Sequence, residues 1–337
     1  MGLSNENYVP WRNPLVAREL ALGITATLIF FFSILFVPMV GIFVGIFTPL
    51  PTLLSLYRMG RPKGYWIPAG AAVAGWLLLS YLSIPQSMPY LLEMLLLGVF
   101  LGMGMRRQWP MEFTIGGASL LAFGLAVMVF YFGHHSVDGS VFKSLEEGLQ
   151  QAIKLTFQYY GGDSPEMRVL EYSILKAVPV VVRMLPGALL ASVLVISWLN
   201  VLVTRQYCRV HHLPGPSWVE WQLWKTPEPL VWGVIISGFM LLVRVESLKL
   251  LALNMLIVLG TIYLFQGMAV IAFYFERWKL PRLLRAILYG LLVLQQFASI
   301  GAIFLGLFDV WFDFRRLAKK PAPESESGSD SDPDTDT

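Results

Sequence analysis

The stretch Leu20–Tyr57 has the sequence LALGITATLIFFFSILFVPMVGIFVGIFTPLPTLLSLY and contains no Asp, Glu, Lys or Arg. A helix of about 20 apolar residues crosses the hydrocarbon core of a bilayer. The stretch is too long for one such helix, and Pro38 divides it, because proline interrupts the hydrogen bonds of a helix. It therefore predicts two membrane spans, near 17–37 and 39–57.

The rest of the chain continues this pattern of long apolar runs separated by short polar segments. Seven further spans are predicted near 67–84, 89–105, 112–132, 174–203, 229–246, 250–275 and 286–313. The fold class is therefore all-α. We expect a polytopic transmembrane helix bundle of about nine spans (eight to ten) over residues 1–317.

Composition excludes the soluble classes. Of 337 residues, 56% are hydrophobic and 14% are charged, against about 25% charged in soluble domains. The single cysteine, Cys208, excludes a disulfide scaffold. The net charge of +3 combines six acids in Pro321–Thr337 with 25 basic and 16 acidic residues before it. Because the bases lie between apolar runs, we expect no nucleic-acid partner.

Lys and Arg mark one side of the membrane. They cluster before the first span and after the second, fourth, sixth and eighth: Arg12, Arg18, Arg58, Arg61, Lys63, Arg106, Arg107, Arg205, Arg209, Arg277, Lys279, Arg282 and Arg285. Basic loops remain in the cytoplasm, so the N-terminus is predicted to be cytoplasmic, in the bacterial cytoplasmic (inner) membrane. Anionic lipid is the expected partner of this edge.

The span count and the charge rule disagree at the C-terminal end. Nine spans would place Arg315, Arg316, Lys319 and Lys320 outside the cell. A tight hairpin of two short segments over 286–313 would return them to the cytoplasm, as the charge rule requires. We therefore favour a cytoplasmic tail.

Three segments are predicted outside the bilayer. The outer segment 136–173 contains an amphipathic helix, since Phe142, Leu145, Leu149, Ile153 and Phe157 recur every three or four residues. Ser164-Pro165-Glu166 then has the pattern of a helix start, so the sixth helix begins outside the membrane and runs to about 203. The segment 205–228 is a cytoplasmic Trp/Pro-rich loop. The acidic tail 318–337 is predicted to be disordered.

Ionisable residues within spans are the natural candidates for a binding site. Glu93 and Arg183 both fall in the predicted outer leaflet, so they could pair. Pro179 and Pro186 bracket Arg183, and broken helices often line transport sites. The pair has two interpretations, a site for a charged or zwitterionic solute or a structural ion pair. Asn254 and Gln266, with Thr261 and Tyr263, could line a cavity or form hydrogen bonds between helices.

A tryptophan-rich strip follows the sixth span. Trp218, Trp221 and Trp224 lie close to the next span. Tryptophan at this position is typical of the interfacial belt of membrane proteins. A helix that docks a protein partner is the alternative.

Recognisable catalytic motifs are absent from the sequence. It contains no GxSxG, HExxH or Walker A pattern. The pairs His134-His135 and His211-His212 have no carboxylate or cysteine at ligand spacing, and Cys208 has no activating neighbours in the sequence. We expect no enzyme activity, no cofactor and no metal.

Four strips of sequence resemble one family. They are Trp224–Trp232 (WKTPEPLVW), Tyr263–Ile271 (YLFQGMAVI), Gly306–Arg315 (GLFDVWFDFR) and the opening Pro49-Leu-Pro51 with Arg58, Gly60 and Arg61; Asn254 lies between the first two. They are similar to the YybS-like family, polytopic bacterial inner-membrane proteins classed as a domain of unknown function. The resemblance covers about 15–317 and implies no established activity. The opening is also similar to substrate-capture subunits of vitamin transporters and to rod-shape membrane proteins.

These observations predict a small-solute permease or substrate-capture component with its site near Glu93, Arg183, Asn254 and Gln266. The substrate is not specified by the sequence. The alternative is a non-enzymatic scaffold that recruits cell-envelope or division proteins through Trp218, Trp221 and Trp224.

Overall fold

The structure, a computed structural model, describes residues 13–60, 62–133, 141–160 and 164–315. None of these residues lies in a β-strand. The described α-helices are α1 (Asn13–Phe36), α2 (Pro38–Gly45), α3 (Leu50–Met59), α4 (Trp66–Tyr81), α5 (Met88–Arg106), α6 (Met111–Gly133), α7 (Val141–Tyr160), α8 (Pro165–Val210), α9 (Leu230–Leu242), α10 (Glu246–Arg277), α11 (Arg282–Leu294) and α12 (Gln296–Phe312). The all-α prediction is confirmed. The predicted tail 318–337 and His134-His135 lie outside the described residues.

The helices that could cross a membrane are fewer than the nine predicted spans. Six stretches of the described chain are long and apolar enough: Ala17–Phe36, Met39–Met59, Pro85–Arg106, Met111–Val129, Pro165–Val210 and Glu246–Arg277. The helices α11 and α12 meet at a bend of 99°; they add a seventh span if they form one broken span, and none if they form a re-entrant loop.

Each of the nine predicted segments is mainly helical, although 39–57 is divided between α2 and α3 and 286–313 between α11 and α12. Two helices also end earlier than predicted. The α4 helix has 16 residues and α9 has 13, fewer than the about 20 that cross the hydrocarbon. Ser83 adopts a positive φ of 58° just after α4, so the apolar Leu82–Ile84 belongs to a turn. Hydropathy counts such residues as span, because it does not detect helix ends.

The predicted start of the sixth helix is confirmed. Pro165 is the first residue of α8, and the Ser164 side chain accepts a hydrogen bond of 3.3 Å from the Met167 N–H. The helix has 46 residues and continues through Pro179 and Pro186. At 1.5 Å per residue it is about 69 Å long, more than twice the about 30 Å of hydrocarbon.

The chain forms two compact units. The first unit comprises Met1–Trp218 and Trp232–Thr261. In it α1 packs against α2 and α4, α3 against α5, α5 against α6, and α8 against α6 and α7. Its core includes the buried Phe31 of α1, Ala71 and Leu79 of α4, and Leu91 of α5.

Small residues bring the helices of the first unit close together. A Cβ on Gly98 would lie 2.6 Å from the Pro49 carbonyl oxygen, and one on Gly102 would lie 3.0 Å from that of Leu53. Any larger side chain at either position would force α3 and α5 apart. The Gly98-x3-Gly102 pattern is therefore a packing device.

The second unit comprises Val219–Val231 and Ile262–Thr337. In it the last part of α10 contacts α12 through two glycines. A Cβ on Gly267 would overlap the Ala302 carbonyl oxygen, and one on Gly306 would overlap that of Tyr263. The two helices therefore approach almost backbone to backbone.

The surface of both units is rich in large apolar side chains. Ile29, Phe43 and Trp76 of the first unit and Phe297 and Trp311 of the second each expose more than half of their area. A soluble protein rarely exposes such continuous apolar surface. Lipid acyl chains are the surroundings in which it is stable.

Candidate functional site

Arg183 pairs with Glu246 and not with Glu93, the partner that the sequence allowed. Its Nη1 lies 2.8 Å from Glu246 Oε1, and 44% of the Arg183 side chain and 80% of the Glu246 side chain are exposed. Glu93 lies half-buried on α5, and among the described residues it forms no ion pair. The pairing that the sequence allowed between α5 and α8 is replaced by one between α8 and the start of α10.

The side chain of Asn254 on α10 forms hydrogen bonds to the backbone of α8 in the first unit. Its Oδ1 accepts a hydrogen bond of 2.6 Å from the Gly187 N–H, and its Nδ2 donates to the Arg183 carbonyl at 3.0 Å. These are the two backbone groups that pair with each other in a regular helix. A Cβ on Gly187 would lie 2.8 Å from the Asn254 Cα. The amide of Asn254 thus serves helix packing beside Pro186.

Gln266 belongs to the second unit, in a fully buried polar cluster. Its Oε1 accepts from the Thr226 N–H at 3.1 Å, and its Nε2 donates to Asp309 Oδ2 at 3.0 Å. Arg315 Nη2 donates to the same Asp309 oxygen at 2.7 Å. Neither side chain of this ion pair is exposed. The interhelical interpretation of Gln266 is the one that the geometry supports.

The guanidinium of Arg315 also holds the tryptophan-rich strip of its own unit. Its Nη1 donates to the carbonyls of Gln222 at 2.7 Å and Trp224 at 2.9 Å. One residue further, Lys225 Nζ lies 2.6 Å from Asp313 Oδ1. Two cations therefore fix residues 222–225 to the end of α12. The hydroxyls of Thr226 and Tyr263 are buried without a partner in this described region.

The three tryptophans predicted as a belt or docking surface are all half-buried. Trp218, in the first unit, donates from its indole N–H to the Trp109 carbonyl at 2.6 Å and lies beside the Arg205 guanidinium. Trp221 and Trp224 belong to the second unit, and the Trp221 ring lies 6.5 Å from that of Tyr289. Partner docking through these residues stays a prediction.

A groove of about 380 Å³ lies in the first unit between α1, α3 and α4. Its walls are apolar, apart from Ser55 and the ion pair of Glu19 and Arg58. Arg58 Nη2 lies 3.4 Å from Glu19 Oε1, and a quarter of each side chain is exposed. Arg58 Nη1 donates to the Tyr207 hydroxyl at 3.3 Å. The groove is thus charged at one end and lined by apolar side chains along the rest of its length.

Sequence reasoning did not select Glu19, Arg58, Asp309 or Arg315 as site residues. Arg58 and Arg315 were assigned to the charge rule, which concerns sidedness and does not distinguish a buried cation from an exposed one. Asp309 did carry a signal, because it is a carboxylate within an apolar run. Glu19 directly follows Arg18 near the start of the first span.

Among the described residues, no three His, Cys, Asp or Glu side chains converge to hold a metal ion. Cys208, on α8, is only 1% exposed.

Two comparisons relate the chain to known sequences. The family described as "Predicted membrane protein (DUF2232)" matches residues 25–310. "Uncharacterized protein YybS" of Bacillus subtilis (strain 168) is 20% identical over an alignment of 294 positions that covers 85% of this chain and 93% of that protein. No solved structure matches the chain. The resemblance to the YybS-like family is thereby confirmed, and the chain belongs to the DUF2232 family of membrane proteins.

Proposed function

We propose that this membrane protein is a non-enzymatic permease or substrate-capture component, and that the groove between α1, α3 and α4 holds its ligand. The observation that carries the proposal is a preformed apolar groove that ends in an ion pair. Ligand sites are mostly apolar clefts of about 300–1,000 Å³ with a few polar groups that fix orientation. The groove matches this description in volume and in lining.

The residues that the sequence favoured support this proposal less well than the groove does. Asn254 is occupied by backbone groups of α8, and Gln266 by the Thr226 N–H and Asp309. Arg183 is paired with Glu246. A solute bound by these side chains would have to displace the interactions that hold the helices together. Glu19 and Arg58 have a longer, weaker contact, so a ligand can bind them at less cost.

The proposal is tested by filling the groove. Ala26 lines it, whereas Ala21 lies exposed on the same helix outside the lining. Native mass spectrometry of the protein released from detergent measures small molecules that copurify with it. We expect Ala26→Phe to lose the bound molecule and Ala21→Phe to retain it. Equal retention by the two variants would overturn the proposal.

We also propose the bacterial cytoplasmic (inner) membrane as the location, with the N-terminus in the cytoplasm and anionic lipid along the basic edge. The basic loops of the sequence support this orientation. It requires α4, with its 16 residues, to cross the bilayer together with the four longer spans that precede α7. A green fluorescent protein fused to the N-terminus folds in the cytoplasm, and alkaline phosphatase is active only outside it. A fluorescent N-terminal fusion and an active phosphatase inserted in α7 are expected. The reverse pair of results would overturn the orientation.

A further inference from the structure

We infer that the ligand of the groove is a zwitterionic phospholipid-type amphiphile, with its head group on Glu19 and Arg58 and an alkyl chain along α1. This inference rests on the function proposed above and adds the chemical class of the ligand. It is argued from the charge at one end of the groove and from the apolar length beyond it.

The charged end can receive a head group that carries both signs. Arg58 and Glu19 are 3.4 Å apart, longer than the about 2.7–2.9 Å of a close charge-assisted hydrogen bond. A guanidinium binds phosphate oxygens through its fork of N–H donors, and a carboxylate accepts hydrogen bonds from an ammonium group. A purely anionic head would be repelled by Glu19 and a purely cationic one by Arg58. A phosphate joined to an amine satisfies both.

The remainder of the groove suits an alkyl chain. Leu22, Ala26 and Phe30 line it on α1, opposite Leu50, Pro51 and Leu54 on α3. From Glu19 to Phe30 the helix rises by about 16 Å, which is about half of the hydrocarbon core, or one leaflet. Beyond Arg58 and Glu19 the lining contains no charged residue. The groove therefore provides one leaflet's length of apolar contact.

Small side chains give the groove its depth. Gly23 and Ala26 lie on the wall formed by α1. A Cβ on Gly23 would overlap the side chain of Ile67, which lines the groove from α4. A chain of methylene groups is narrow and flexible enough to lie along this wall.

The test compares head groups on the full-length protein. The protein is reconstituted in vesicles of equal parts phosphatidylethanolamine and phosphatidylglycerol, then extracted and weighed with its bound lipid by native mass spectrometry. We expect phosphatidylethanolamine to exceed phosphatidylglycerol by about tenfold, a difference of ~1.4 kcal/mol. We expect Glu19→Gln to abolish that preference and Arg58→Gln to reduce binding of both lipids. Arg18→Gln, exposed on the same helix, is the matched control and should behave as the parent.

Several outcomes would overturn the inference. If the two lipids bind in the same proportions as in the vesicle, the bound lipid is only non-specific annular lipid. Binding of free phosphoethanolamine as tight as that of the lipid means that the apolar groove contributes nothing. A Glu19→Gln variant that keeps the preference of the parent excludes Glu19 from the head-group site. If Ala26→Phe displaces a molecule of another class, the groove is the site but this ligand is wrong. If Ala26→Phe displaces nothing, the proposed function itself fails.

Discussion

Arg315 donates to Asp309 over 2.7 Å with both side chains fully buried, and the two residues are only six positions apart. They reach each other because Asp313 ends α12 in a left-handed conformation, with φ of 41°. The Phe314 N–H then donates to the second Asp309 oxygen at 3.1 Å. The turn returns the chain over the end of its own helix, where the guanidinium binds the carbonyls of Gln222 and Trp224.

Breaking this ion pair from one side is expected to be costly. Arg315→Met leaves a buried carboxylate without its cation, which costs about 3–5 kcal/mol in comparable buried pairs. The double variant Asp309→Leu/Arg315→Met should recover much of that loss, because no uncompensated charge remains. The measurement is the unfolding midpoint in detergent, followed by tryptophan fluorescence.

Lys225→Met is the control for that experiment. Its pair with Asp313 is partly exposed, with 36% of the Lys225 side chain accessible, so its loss should cost no more than about 1 kcal/mol. A double variant as unstable as Arg315→Met would contradict the account of a buried charge.

The hydrogen bonds of Asn254 to α8 predict that substitutions at Asn254 and at Gly187 lower the stability by unequal amounts. Asn254→Leu removes two interhelical hydrogen bonds, each worth about 0.6 kcal/mol on average in membrane proteins. Gly187→Leu should destabilise the first unit more, because its side chain would collide with the Asn254 backbone. Gly116→Leu, where a Cβ meets nothing within 4 Å, serves as the control. Thermal stability by size-exclusion chromatography distinguishes the three; an Asn254→Leu loss larger than that of Gly187→Leu would refute the packing argument.

Two glycines on α12 provide a matched pair. Gly306 lies against the Tyr263 backbone, whereas a Cβ on Gly301 would meet nothing within 4 Å. We expect Gly306→Val to separate α10 from α12 in the second unit and to raise the rate of proteolysis near Phe314. Gly301→Val should be cleaved at the parent rate. Equal rates for the two variants would show that this close approach does not stabilise the unit.

The residues that the sequence favoured also yield a prediction about ligand binding. Arg183→Gln and Glu93→Gln should leave the amount of copurified small molecule unchanged, because Arg183 is used in a largely exposed pair with Glu246. Neither residue lines the groove. The measurement is the native mass spectrum used for Ala26→Phe. Loss of the ligand from Arg183→Gln alone would move the site back to the predicted position.

Hydropathy and capping patterns predicted most of the helical architecture. The positions of the apolar runs, the Ser164 cap and the amphipathic character of 141–160 follow from spacing within single helices, which is local information. The ends of α4 and α9 did not follow, because apolar residues also occupy the turns after them.

The site depends on which helices become neighbours, and one sequence does not contain that information. The sequence suggested Glu93 as the partner of Arg183, and only the packing of α10 on α8 shows that the partner is Glu246. The burial of Arg315 requires the left-handed turn at Asp313. The groove arises from α1, α3 and α4 lying side by side, and none of its lining residues is unusual by itself.

Because Cys208 is buried, the natural chain can serve as the unlabelled control in thiol-labelling experiments. Cys208 lies buried on α8, and the chain has no second cysteine. A maleimide that cannot cross membranes should therefore leave the parent unlabelled, so one introduced cysteine reports its side of the membrane by itself. Gly148→Cys on α7 should react in intact cells and Gly215→Cys only after permeabilisation; both glycines are exposed, and a Cβ there meets nothing within 4 Å. If Gly215→Cys reacted in intact cells and Gly148→Cys only after permeabilisation, the chain would have the opposite orientation in its bilayer.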